Sequence, residues 1–209
     1  MEASAAVNPA GGAATIAVRN HYTSPLVAFV FIYTLRDAEA TVYSASNGNY
    51  DSAIDPQQSQ PVPPGGEVKI PYYAGNRGMI PVANIEAALF ADGTTFGHKD
   101  MVQTLFERRN YALVTINKMV AELKQAARNS LTRDQLIAQM QTAMNDERAA
   151  AGNNDLALLI LTMRNQVFAD LLNARDPSNG AFLSMDKFLP AEIESLTRRK
   201  EALAPAGAK

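Results

Sequence analysis

Residues 26–35 read LVAFVFIYTL, and no other stretch restricts the fold so strongly. Alternate side chains of a strand point to opposite faces of its sheet. Here both sets are apolar: Val27, Phe29, Phe31 and Tyr33 on one face, Leu26, Ala28, Val30 and Ile32 on the other. A strand of this kind must be covered twice. A second sheet supplies one cover, as in a β-sandwich. Something else must supply the other, and the chain's apolar helices are the available material. The rival arrangement is dimerisation through the uncovered face.

The rest of the first half supports strands. Residues 15–22 (TIAVRNHY) alternate and end before Ser24-Pro25; 40–46 and 67–73 (EVKIPYY) are further short runs; 85–91 is apolar except for Glu86. Between them lie the polar loop 47–60 and the rigid turn PVPPGG at 61–66. Asp92-Gly93 is a tight-turn signal, and 94–96 returns as a closing strand. About seven short strands in this length predict an immunoglobulin-like antiparallel sandwich.

The chemistry changes near Gly97. Residues 1–97 carry 10 of the 15 aromatics and only 4 basic side chains, whereas 98–209 carry 15 basic ones. Residues 98–128 place Val102, Leu105, Phe106, Leu113, Ile116, Val120 and Leu123 on one helical face. Thr132 and Gln135 have the spacing of a capping box, opening a helix to about Ala150. Gly152-Asn153-Asn154 breaks it, 155–174 is a third helix, and DPSNG at 176–180 ends that one. Pro190 suits the first position of a last helix over 191–203. Residues 156–163 are apolar almost all round, as in a buried helix. The expected organisation is α+β: a flexible leader at 1–13, a sandwich at 14–97, a helical region of about four helices at 98–203 packed on the sandwich, and a frayed tail at 204–209.

Composition excludes several functions. The net charge of −2 has no basic excess for nucleic acid. Without cysteine there are no disulfides, thiol catalysis or thiolate zinc sites. No run reaches the roughly 18 apolar residues of a membrane helix. The start MEASAAVNPAGGAA has neither a basic n-region nor an apolar h-region. The expectation is a periplasmic or extracellular protein whose signal peptide has been removed.

The densest cluster of reactive residues is LFADGTTFGHKDM at 89–101. A DxDGT phosphatase needs an aspartate where Phe90 stands, and a phenyl ring cannot attack phosphate. Asp92, His98 and Asp100 are candidates for a metal site, yet HxH, HExxH and the alternating acids of a calcium loop are all missing. Asp100 also suits a helix N-terminus without any metal. His21 and His98 are the only histidines, no GxSxG occurs, and PPGGE lacks the GK[ST] of a phosphate loop. Asp51, Asp55, Glu67 and Glu86 are the carboxylates available for glycoside chemistry. Tyr43, Tyr50, Tyr72 and Tyr73 lie near strand ends, where exposed rings could stack on a sugar or anchor a protein. The basic runs 108–109 and 198–200 are flanked by Glu107 and Glu201, as on a solvated helix face.

The stretches TIAVRNHYTSPLVAFVF, PVPPGGEVKIP and IEAALFADGTTFGHKDMVQTLFERR resemble a family of exported bacterial proteins carrying an immunoglobulin-like module. Their shared features are an asparagine-to-proline start, a PPGG turn and an FADGT corner, over residues 14–115. The module is also loosely similar to CARDB-type and fibronectin-III-like domains. The resemblance implies a fold and carries over no catalytic residue or cofactor. The expected function is therefore a non-catalytic binding or assembly module with a protein partner or a second copy of itself. A carbohydrate-binding accessory and a metal-dependent hydrolase are the alternatives.

Overall fold

A computed structural model describes residues 1–7, 13–36, 39, 41–54, 60–73, 80–152 and 154–204. The protein is α+β, and the described residues form two antiparallel sheets and four helices. The strands are β1 (Glu2–Val7), β2 (Ala13–Arg19), β3 (Leu26–Arg36), β4 (Val42–Asp51), β5 (Glu67–Tyr73), β6 (Ile80–Phe90) and β7 (Thr95–Gly97). The helices are α1 (Lys99–Arg128), α2 (Arg133–Ala151), α3 (Asp155–Asn173) and α4 (Met185–Leu203). One sheet has the order β1-β2-β5, the other β4-β3-β6-β7.

The chain forms two compact units, Met1–Phe106 and Glu107–Ala204. In the first, Ile16 and Val18 of one sheet share a buried cluster with Leu26, Phe29, Phe31, Tyr50, Ala88 and Phe90 of the other. The second face of β3 has its own cluster: Val27, Ala28 and Val30 with Ala87 and Leu89 of β6, covered by Met101, Val102 and Leu105. The first two turns of α1 are thus the cover that the doubly apolar strand requires. They move the unit boundary past Gly97, because burying Leu105 binds this piece of helix to the sheet.

The second unit contains the rest of α1 with α2, α3 and α4. Thr132 caps α2 with the complete box: its side chain accepts from Gln135 N, and the Gln135 side chain accepts from Thr132 N at 2.9 Å. Asn154 caps α3 by accepting from Leu156 N and Ala157 N. The side chain of Arg164, 1% exposed, lies among the helices; it donates to Glu122 of α1 and, at 2.7 Å, to Glu147 of α2. Arg133 donates to the carbonyls of Leu171 and Leu183, and Arg109 to that of Ala202.

Three expectations need correction. The leader over 1–13 contains a strand, since Glu2–Val7 pairs antiparallel with β2. Alanine has weak strand propensity, so EASAAV gives little local signal; the neighbouring strand provides the hydrogen bonds. The polar loop over 47–60 begins later, because β4 continues to Asp51 against β3 and Tyr50 is buried; residues 55–59 lie outside the described ones. Finally, Pro190 does not open the last helix. α4 starts at Met185, with Pro190 inside it. Proline there forfeits one backbone bond, while Phe188 and Leu189 in the preceding turn are buried.

Candidate functional site

The segment 20–25 and the hairpin 90–97 meet at one end of the first unit. Asn20 organises the first. It is fully buried, and its side-chain amide donates to the carbonyls of Ser24 at 3.0 Å and Val62 at 2.9 Å. Its Oδ1 accepts from Tyr22 N at 2.9 Å. The hairpin closes through Phe90 N to Thr94 O, leaving three loop residues, with Gly93 at φ +84°. That is a type I turn followed by a left-handed residue, the geometry that favours Asp-Gly. Gly97, at φ +98°, has no room for a Cβ, which would overlap the Glu86 carbonyl. Two bonds join segment and hairpin: Ala91 N to Pro25 O at 2.8 Å, and Asp92 N to Ser24 Oγ at 3.2 Å.

Between them lies a cleft of about 190 Å³, lined by Met1, His21, Tyr22, Phe90 and residues 94–96. Tyr22 and Phe90 are in ring contact, centroids 4.4 Å apart. Tyr22 is 40% exposed and Phe96 51%, so two aromatic rings lie open to water beside one hollow. Among the described residues, β7 forms the edge of its sheet here and pairs with β6. At the surface nearby, His21 Nε2 lies 3.2 Å from Glu2 Oε2.

The structure does not gather Asp92, His98 and Asp100 into a metal site. Asp92 Oδ1 accepts from Thr94 N at 3.0 Å and Thr94 Oγ1 at 2.6 Å. These bonds hold its carboxyl below the usual range, the Thr94 hydroxyl contributing most. His98 Nε2 lies 3.5 Å from Glu86 Oε2, and Asp100 stands in the first turn of α1. Among the described residues no group of three or more histidine and acidic side chains could hold a metal ion.

Of the four tyrosines, Tyr50 is 2% exposed, stacked on Phe29 at 4.7 Å, and donates to Gln60 O at 2.7 Å. It is a core residue and not a ligand platform, because β4 runs further than its polar sequence suggests. The side chains of Tyr43, Tyr72 and Tyr73 lie outside the described residues. Among the carboxylates proposed for glycoside chemistry, Asp51 is buried and accepts from Ala53 N, Glu67 pairs with Arg19 at 3.4 Å, and Glu86 faces His98; Asp55 lies outside the described residues. The exposed rings at this end, Tyr22 and Phe96, are not among the tyrosines singled out from the sequence. Only the Asn20–Pro25 motif and the Asp-Gly turn hinted at them.

No family model matches the chain, and the search of curated proteins returned no match. Among solved structures the chain is similar, at 12% identity, to one described as pT26-6p, with a TM-score of 0.22. The match covers 92% of this chain and 46% of that one, so the chain spans about half the length of the structure it matches. At that score the likeness carries no argument about fold or function.

Proposed function

We propose that this is a non-catalytic binding or assembly module of an exported bacterial protein, and that it engages another protein through the Tyr22–Phe96 end of an immunoglobulin-like sandwich. The observation that carries the reading is the pair of exposed rings beside one cleft and one open strand edge. Aromatic rings next to a hollow act as anchors at protein interfaces, and an open edge can accept a partner strand. The strand order supports the immunoglobulin-like assignment. Lettered A, B, C, C′, E, F and G in chain order, the sheets are A-B-E and C′-C-F-G, with C′ beside C as in variable-type domains. The exported, bacterial origin rests on the resemblance over residues 14–115.

Photo-cross-linking in cells that make the protein natively tests this reading. A benzophenone amino acid at position 96 should trap a discrete protein partner, and the same group at Lys124 should not. Identical adduct patterns at both positions, or none at 96, would remove the proposal. Binding on a glycan array that is lost in Phe96→Ala would replace the protein partner with a carbohydrate.

A further inference from the structure

A second cleft, of about 380 Å³, lies within the helical unit. Its walls come from the C-terminal end of α3, the connection 174–184 and the first half of α4. Ala174, Leu183, Phe188 and Ala191 make it largely apolar, and Asp170 of α3 and Glu192 of α4 both line it. Two half-buried carboxyl groups from different helices therefore line the same cleft.

The surrounding charges do little to relieve them. Asp170 is held by a neutral donor, Gln166 Nε2, at 3.1 Å. Arg133 of α2 is committed to the carbonyls of Leu171 and Leu183. In the connection, Arg175 lies over the Phe182 ring, and Asp176 is paired with Lys187 at 3.2 Å. Arg199, two turns further along α4, favours ionised Glu192, but less than Asp170 opposes it. The last turn of α3 carries no basic residue, so the negative end of its dipole adds to the Asp170 charge.

We propose that Asp170 and Glu192 form a pH-sensitive latch between α3 and α4, closed while Glu192 carries a proton and loosened when both carboxyls are ionised. Protonated Glu192 is neutral and packs in the cleft beside Phe188 and Leu183. Ionised Glu192 is repelled by Asp170 and draws toward water, pulling the start of α4 from the end of α3. Burial first, and then Asp170, push the Glu192 carboxyl up to about 7 from an ordinary 4.5. The sign follows: between those values the folded unit keeps a proton that the unfolded chain has released, so the seam weakens as pH rises through this window and levels off above it.

Hydrogen-exchange protection factors for amides 183–193 of the full chain, which normalise for the intrinsic pH dependence of exchange, test the latch. From pH 6 to pH 8 they should fall about tenfold in the native sequence. They should stay level in Glu192→Gln, and Asp170→Asn should shrink the change. Equal protection at both pH values, or a Glu192→Gln protein that follows the native one, would overturn the proposal. Carbon NMR of the Glu192 carboxyl gives a reading that needs no variant: titration near pH 7 is expected, and titration near 4–5 refutes the latch.

Discussion

The two units solve the same burial problem with different chemistry. The core of the first unit is built from Ile16, Val18, Leu26, Phe29, Phe31 and Phe90, and its buried polar groups, Asn20, Ser24 and Asp51, bond to the backbone. The helical unit places a charge inside. Arg164 ties α1, α2 and α3 through Glu122 and Glu147, while Arg133 and Arg109 fill carbonyls near helix ends. Sheets satisfy their backbone groups strand to strand, whereas each helix leaves its last carbonyls without an internal partner. Long cationic side chains are one way to reach them. The lesson is that the sheet unit should depend on volume and the helical unit on charge.

The largest test of that contrast is Arg164→Ala. It leaves two carboxylates facing each other and should cost about 3–5 kcal/mol, read by denaturant unfolding, with the loss concentrated in amides of residues 107–204. A loss spread evenly over both units would erase the distinction. Leu26→Ala should cost about 2–5 kcal/mol through the cavity it leaves, concentrated in the sheet unit and insensitive to salt. Measuring both variants at low and high salt sharpens the comparison, because only the Arg164 effect should shrink.

A smaller effect should appear in acid. Burial alone would raise the Glu147 carboxyl, but hydrogen bonds from Arg164 and Lys118 outweigh it and hold the group below its ordinary 4.5. A lowered carboxylate stabilises the fold above the unfolded value, and that contribution is lost as pH falls through the folded one. The helical unit should therefore lose stability below about pH 4.5, by less than Arg164→Ala costs, and Glu147→Gln should flatten that slope. An equal slope in the variant would assign the acid sensitivity elsewhere. Together with the Glu192 latch, which acts in the opposite direction at higher pH, this predicts a helical unit most stable at mildly acidic pH.

Much of the architecture was legible because its signals are local. The change of chemistry near Gly97 separated strands from helices, the Thr132–Gln135 spacing marked the start of α2, and Asp92-Gly93 marked the hairpin. What escaped reading depends on partners distant in sequence. β1 is a strand because β2 lies beside it, and Tyr50 is buried because β4 continues along β3. The candidate site was legible only in outline. Asp92 drew notice as a reactive group, yet its oxygen is taken up by Thr94. The exposed rings are Tyr22 and Phe96, held by Asn20 and the hairpin rather than by any motif of their own.

The sequence alone determined that residues 26–35 need two covers, that the chain divides into a strand-rich and a helix-rich part, and where most of its turns fall. These follow from side-chain periodicity and from the backbone preferences of glycine, proline and capping residues. Tertiary structure decided which segment provides the second cover, which charges are buried, and which carboxyls share a cleft. Those outcomes depend on proximity between residues far apart in the chain, and local sequence pattern carries no measure of that distance.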